Sequence, residues 1–282
     1  MSALPDPASL VRGTGLPKSS HLQRVLMSEL ARLSSTGTVA GPVAAPARVR
    51  LDGPGPFESA LRRDAAARGG AVIAEYKQAS PSLGPFAAGT PLQAQLQAYR
   101  EGGAAAFSIL AEPTYFRGAA AHLTAAAAFG MPRLYKGFVI SESQLAEAEA
   151  CGAEAVLLIV RVLKDHTAAF LEVARRRGLE ALVELHDLTE VPFAQEAGAR
   201  MVGINARDLS TFTLGEPTAA PLRKAFPEAV LVRESGLATP EDAQVSLRAG
   251  FDAVLIGEAL MRSPDPKGFL ERVFADLRQE AR

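Results

Sequence analysis

The chain has 282 residues, of which 48% are hydrophobic and 22% charged, which is enough to bury one large core or two small ones. Its formal net charge of −1 argues against a partner such as nucleic acid or an anionic membrane surface, and no apolar run is long enough to span a bilayer. The single cysteine excludes a disulfide within this chain and suits the reducing cytoplasm, where we expect the protein to reside, and the four scattered histidines lack metal-ligand spacing.

Residues 1–56 are expected to form an extension ahead of the main domain. Residues 1–17 are rich in Pro and Gly and are expected to be a tail. Ser19 or Ser20 can cap a helix over about 22–33, which has an apolar face formed by Leu22, Val25, Leu26, Leu30 and Leu33. Residues 36–56 are again rich in Gly, Pro and Ala, which predicts an irregular connector, and a helix is expected over 57–67.

From residue 71 onward, short apolar runs alternate with longer Ala- and Leu-rich segments of helical pattern. Strands are predicted at about 71–77, 105–110, 133–138, 154–160, 180–185, 200–204, 229–234 and 252–256. Glycine stands before most of these strands, as expected where a helix has just ended. Eight such units predict an α/β protein whose residues 57–282 form one (β/α)₈ TIM barrel, and no Gly-x-Gly-x-x-Gly turn supports a dinucleotide fold.

The first predicted strand carries the strongest functional signal. It delivers Glu75 and Lys77 and then breaks at Ser80-Pro81. Side chains alternate between faces along a strand, so this acid and this amine share one face. In α/β barrels the catalytic groups sit at the C-terminal strand ends, so the pair is a candidate for proton transfer, although a surface ion pair is the plain alternative.

Other predicted strands end in residues of the same chemical kinds. The candidate catalytic residues are Glu75, Lys77, Lys136, Glu184, Asn205 and Glu234. Alternation places Glu184 and His186 on the same face of their strand, and Asn205 and Arg207 on the same face of theirs. A confined site that gathers acids and amines can tune their pKa values through mutual charge and burial.

The last two predicted strands end in residues that suit a phosphate. Ser235-Gly236 and Gly257-Glu258 occupy the position where barrels commonly bind phosphate through backbone N–H groups. Arg207 can pair with a substrate carboxylate, or alternatively with a neighbouring acid such as Asp208. Four apolar residues are candidates for a wall that holds an aromatic ring, although each alone is more often ordinary packing: Pro81, Phe116, Phe138 and Leu157.

Together these motifs resemble the indole-3-glycerol phosphate synthase family. The similar segments are EYKQASPSLG at 75–84, SILAEPTYFRG at 108–118, LLIV at 157–160, LVELHD at 182–187, GINARDL at 203–209, ESGLATPED at 234–242 and LIGEALMR at 255–262. The resemblance runs from about residue 57 to the C-terminus. It implies a carbon–carbon lyase of tryptophan biosynthesis that needs no cofactor or metal and converts 1-(2-carboxyphenylamino)-1-deoxyribulose 5-phosphate. We separately expect the protein to be a monomer or weak homo-oligomer.

The resemblance also implies a role for each candidate. Lys136 is the expected general acid at the ketone oxygen, Glu184 and Lys77 transfer protons, and Glu75 orients the cations. Substrate positioning falls to Asn205, Arg207 and Glu234. The phosphate end is held by Ser80, Gly236 and Gly257, and the anthranilate ring is flanked by Pro81, Phe116, Phe138 and Leu157.

One position departs from the family pattern and keeps other functions open. The family usually has Lys-Asp-Phe after the third strand, whereas this chain has Lys136-Gly137-Phe138. If the missing carboxylate normally orients a lysine, Gly137→Asp is expected to raise activity. A diverged paralogue acting on a related sugar phosphate, and a non-catalytic ligand-binding barrel, therefore remain alternatives.

Overall fold

A computed structural model describes residues 4–35, 49–81, 83–87, 89–205, 219–275 and 277. The strands are β1 Ala71–Tyr76, β2 Ala79–Ser80, β3 Gly84–Pro85, β4 Ala106–Leu110, β5 Arg133–Lys136, β6 Ala155–Ile159, β7 Glu180–Leu185, β8 Met201–Asn205, β9 Val230–Glu234 and β10 Ala253–Ile256. The helices are α1 Pro7–Gly13, α2 His21–Ser35, α3 Pro56–Arg68, α4 Leu92–Glu101, α5 Ala120–Ala126, α6 Glu142–Ala150, α7 Val160–Leu163, α8 Thr167–Arg176, α9 Val191–Glu196, α10 Ala219–Ala225, α11 Pro240–Arg248, α12 Glu258–Arg262 and α13 Pro266–Ala275. Short 3₁₀ turns lie at Ala127–Phe129, Lys164–His166 and Leu188–Glu190.

Eight of these strands close into a parallel barrel in the order β1-β10-β9-β8-β7-β6-β5-β4. The predicted (β/α)₈ fold is therefore confirmed, and each predicted strand is found within about two residues of its expected limits. The strands are almost wholly buried, because helices cover the outer face and side chains fill the interior. Since all eight strands run in parallel, their C-terminal ends meet at one mouth.

The tail expected over residues 1–17 is wrong for its central part, which is helix α1. The side chain of Asp6 accepts a hydrogen bond from the backbone N–H of Ser9 at 2.9 Å, and Pro7 lies in the first turn, so the helix has a normal start. Leu10 and Val11 are buried where α1 packs on α2 and α7. Two apolar residues are too few for a periodic signal, and the helix is stabilised by these tertiary contacts.

The helix predicted in the rest of the extension is found as α2, and the helix predicted at the start of the barrel domain is found as α3. The apolar face of α2 is buried at Leu22, Val25 and Leu26. Residues 49–55 of the expected connector have no regular structure, and residues 36–48 lie outside the described residues. Among the helices described, none combines the length and apolar character needed to cross a membrane.

Candidate active site

The C-terminal mouth of the barrel gathers five charged side chains from four strands and the turn after β1. Lys77 Nζ lies 2.8 Å from Glu75 Oε1. Lys136 Nζ lies 3.4 Å from Glu184 Oε2 and makes a closer hydrogen bond with Glu234 Oε2. Strand register brings these groups together although Lys136 and Glu234 are far apart in sequence. The acids and amines that the strand ends were expected to supply therefore share one cluster.

Charge and burial act in opposite directions on the pKa values of Glu75 and Glu184. Burial raises the pKa of Glu75, but Lys77, Lys136 and the Ser108 hydroxyl lower it more, and the net shift is downward. Burial likewise raises the pKa of Glu184, and Lys136 with His186 reverses that shift. Both side chains are only 3% exposed, so they remain ionised because cations stand beside them.

Glu234 behaves differently, because the cluster holds three carboxylates and only two ammonium groups. Burial and the neighbouring carboxylate of Glu184 raise the pKa of Glu234 to about 8, against the opposing effect of Lys136. One proton on this acid makes the five-residue cluster neutral, which favours its burial. Burial lowers the pKa of Lys136, but Glu234, Glu184 and Glu75 raise it above its usual value, so Lys136 is held as an ammonium ion.

A cavity of about 680 Å³ opens onto this cluster. Its lining includes all of the candidate catalytic residues: Glu75, Lys77, Lys136, Glu184, Asn205 and Glu234. It also includes nine of the ten candidate binding residues: Ser80, Pro81, Phe116, Phe138, Leu157, Ser235, Gly236, Gly257 and Glu258. The tenth, Arg207, lies outside the described residues.

The cavity has an apolar side and a side that suits an anion. The rings of Phe116 and Phe138 meet with centroids 5.8 Å apart and form one wall. Opposite in character, Ser235 and Gly236 have φ values of 64° and 77° in succession, and a non-glycine residue in this left-handed region is typical of functional turns. At Gly257 a Cβ would collide with the side chains of Glu75 and Lys77, so glycine is required by this close approach.

The structure gives a reason for Gly137 that the sequence could not supply. A Cβ at this position would lie 2.6 Å from Cε1 of the Tyr135 ring. Tyr135 is buried, and its hydroxyl donates a 2.7 Å hydrogen bond to Glu147 Oε2, which fixes the ring. An aspartate at 137 would therefore displace Tyr135, and the expectation that Gly137→Asp raises activity is not supported by this packing.

Two contributions to the site were not assigned to residues from the sequence. His21, Leu22 and Val25 of α2 line the cavity, so the N-terminal helix covers part of the mouth. Ser108 donates a 3.2 Å hydrogen bond to Glu75 Oε2 from the neighbouring strand. The apolar face of α2 was visible in the sequence, but nothing local indicates what that face packs against.

Comparison with known proteins agrees with this geometry. The model of the family described as "Indole-3-glycerol phosphate synthase" matches residues 47–273. The chain belongs to the indole-3-glycerol phosphate synthase family. The match contains all eight barrel strands and leaves helices α1 and α2 outside it.

Several similar proteins carry this family's name. The indole-3-glycerol phosphate synthase of Chloroherpeton thalassium is 43% identical over 216 residues, which cover 76% of this chain and 83% of that protein. Indole-3-glycerol phosphate synthase 2 of Streptomyces coelicolor is 46% identical over 213 residues, covering 74% of this chain and 81% of its own. The corresponding protein of Methanothermobacter marburgensis is 38% identical, with 81% of each chain covered.

Similar solved structures agree on the fold alone. The structure of 3-hexulose-6-phosphate synthase from Salmonella typhimurium covers 74% of this chain and 99% of its own, with a TM-score of 0.59 at 14% identity. Thiamine phosphate pyrophosphorylase from Pyrococcus furiosus covers 75% of this chain and 97% of its own, with a TM-score of 0.54 at 15% identity. At such identities, the likeness supports the barrel and carries no argument about substrate.

Proposed function

We propose that this protein is an indole-3-glycerol phosphate synthase, a carboxy-lyase of tryptophan biosynthesis. It would convert 1-(2-carboxyphenylamino)-1-deoxyribulose 5-phosphate into indole-3-glycerol phosphate, CO₂ and water. The observation that carries the proposal is the mixed cluster of buried acids and ammonium groups at the mouth of a barrel of this family. A ligand-binding barrel without catalysis would have no need to bury three carboxylates beside two partly exposed amines.

The cavity suits the two unlike ends of this substrate. The anthranilate ring would lie against Phe116 and Phe138, with Pro81 and Leu157 completing the apolar wall. The phosphate would lie at the backbone of Ser235-Gly236 and Gly257, with Ser80 and Glu258 nearby. Arg207 remains our proposed partner for the substrate carboxylate, together with Asn205 in positioning the intermediate. Holding both ends would bring the ring carbon and the ketone close enough to react.

The first chemical step would be ring closure. The ring carbon that bears the carboxylate attacks the ketone carbon, and the ketone oxygen takes a proton from Lys136 and becomes a hydroxyl. Lys136 suits this role because the carboxylates around it keep its nitrogen protonated before the step. Glu234 and Glu184 on either side would hold the ammonium in place while the carbonyl oxygen gains charge.

The remaining steps would restore the aromatic system. The bond between the ring carbon and the carboxylate carbon breaks, CO₂ leaves, and the electrons of that bond return to the ring. The hydroxyl then departs as water after taking a proton, for which Lys77 is the proposed donor. A proton is lost from the carbon beside nitrogen to Glu184, whose lowered pKa keeps it ionised and able to accept. Glu75 would keep Lys77 aligned through their 2.8 Å ion pair.

Turnover of the proposed substrate tests this function directly. The purified protein would be mixed with the carboxyphenylamino-deoxyribulose phosphate, and the indole product would be followed by fluorescence. We expect turnover, and we expect Lys136→Ala to lower it by about 10²- to 10⁴-fold, the usual contribution of a positioned acid. Lys267→Ala on the surface of α13 is the matched control and should change nothing. Binding of the same compound without turnover would instead favour a diverged or non-catalytic barrel.

A further inference from the structure

His186 is a buried titratable side chain that the proposed steps leave unused. It follows β7 directly, and its side chain is only 2% exposed. Neither ring nitrogen has a hydrogen-bond partner within the described part of the chain, although carboxylates stand on both sides. Nε2 lies 3.4 Å from Glu184 Oε1, and Nδ1 lies 3.8 Å from Glu190 Oε2. Burying an imidazole without hydrogen bonds costs free energy, which a nearby opposite charge can offset.

The two carboxylate oxygens of Glu184 face different partners. Oε2 lies 3.4 Å from Lys136 Nζ inside the catalytic cluster, and Oε1 faces the ring of His186. A carboxylate that turned about its last bond would exchange these two oxygens. A donor on one oxygen therefore fixes which oxygen faces the substrate.

The backbone and its neighbours hold His186 itself in place. Its backbone N–H donates a 2.8 Å hydrogen bond to Glu190 Oε2. The other oxygen of Glu190 accepts a 2.8 Å hydrogen bond from Arg161 Nε, which anchors Glu190 in turn. The charged groups around the ring are Glu184 at the end of β7 and Asp187 and Glu190 in the segment after it. Arg161 of α7 lies behind these two acids.

We propose that His186 is a positioning residue: its Nε2, 3.4 Å from Oε1 of Glu184, attracts that oxygen, so that Oε2 stays aimed at Lys136 and accepts the substrate proton. The proposal rests on the proposed function, because it concerns the base of that reaction. A proton on Nε2 would place positive charge density 3.4 Å from a carboxylate oxygen, and a rotation of the ring by a small angle would turn this contact into a charge-assisted hydrogen bond. Glu184 then keeps one orientation through the successive proton transfers.

Two substitutions at this position separate positioning from packing. His186→Gln places an amide N–H near the position of Nε2, whereas His186→Leu fills similar space without a donor. We expect His186→Leu to lower kcat by about 10- to 100-fold with KM changed less than about threefold, because a displaced base affects the chemical step. The acidic limb of the plot of kcat against pH should move to higher pH in His186→Leu, since Glu184 loses a group that favours its charged form. His186→Gln should keep most of kcat and leave the acidic limb of the pH profile where it is in the unmodified protein.

A readout that needs no turnover distinguishes failure of this proposal from failure of the proposed function. The Glu184 carboxylate can be titrated by ¹³C NMR in the unmodified protein and both variants, with thermal unfolding as a check on folding. We expect a higher Glu184 pKa in His186→Leu and a nearly normal one in His186→Gln. Unchanged titration and kcat in His186→Leu, or equal loss in both folded variants, would overturn the positioning role. Absence of turnover by the unmodified protein would count against the proposed function alone, and the titration would still decide the role of His186.

Discussion

At the scale of single residues, the charge balance at the mouth of the barrel depends on the proton carried by Glu234. Native Glu234 keeps its proton up to about pH 8, whereas in the unfolded chain it loses that proton near its ordinary pKa of 4.5. Between these values the native state binds more protons than the unfolded state. The contribution of Glu234 to the free energy of unfolding is therefore full at low pH and falls as pH rises toward 8.

Glu234→Gln should remove this pH dependence, since the amide stays neutral. We expect the melting temperature of the variant, relative to the unmodified protein, to rise between pH 5 and pH 9. The slope of the stability difference is at most about 1.4 kcal/mol per pH unit. Calorimetry at constant ionic strength measures it, and Glu228→Gln on the surface serves as control. A difference that stays constant with pH would show that Glu234 is already ionised in the native state.

The residue that position 137 can accommodate depends on Tyr135, because the tyrosine ring occupies the space that a side chain at 137 would need. We expect Gly137→Asp to lower stability by about 1–3 kcal/mol, the usual cost of overpacking, and to lower activity with it. The penalty should shrink in a Tyr135→Leu background. Chemical denaturation of the two single variants and the double variant gives the coupling energy. Strictly additive losses would mean that the ring moves aside without cost.

At the scale of elements, α2 is tied to the segment that follows Lys136. Glu29 is 3% exposed and accepts hydrogen bonds from Arg32 and, at 2.8 Å, from Gln144 Nε2. Gln144 also donates to the carbonyl of Phe138 at 3.0 Å. The helix outside the family match is therefore linked to the aromatic wall of the cavity.

Glu29→Ala should loosen this helix, because it leaves Arg32 and Gln144 without their shared acceptor. We expect docking of α2 to weaken by about 1–3 kcal/mol, KM to rise more than kcat falls, and protease cleavage near α2 to become faster. Kinetics and limited proteolysis measure both effects, with Ser34→Ala at the exposed end of α2 as control. A normal KM despite faster protease cleavage would show that α2 does not contribute to substrate binding.

At the scale of the whole molecule, the two ends of one strand serve different purposes. Glu184 lies at the C-terminal end of β7, in the catalytic cluster. Glu180 lies at the opposite end, where it accepts backbone hydrogen bonds of 3.1, 2.7 and 2.8 Å from Gly55, Phe57 and Glu58. Glu180 therefore caps α3 from a distant part of the chain and attaches it beneath the barrel.

Substitutions at the two ends should change different quantities. Glu180→Ala removes the acceptor of three buried N–H groups, so we expect a loss of about 1–3 kcal/mol of stability with normal kcat. Glu184→Gln should lower kcat by about 10²- to 10⁴-fold with little loss of stability. Denaturant unfolding and turnover, measured on both variants, would refute this separation if Glu180→Ala slowed catalysis as strongly as Glu184→Gln.

The sequence by itself determined the barrel and the kinds of side chain at its mouth. Apolar runs between helical segments predict eight parallel strands, and alternation along β1 places Glu75 and Lys77 on one face. These features depend on residues close together in the chain, where local periodicity is informative.

Only the tertiary structure decided how distant parts of the chain meet. It revealed α1 and placed α2 over the cavity. It also placed the Tyr135 ring against Gly137 and the carboxylates of Glu184 and Glu190 beside His186. The contact between Lys136 and Glu234 joins β5 and β9, which are not neighbours in the barrel. Such contacts arise when the barrel closes and its helices dock, and a pattern read along the chain does not encode those distances.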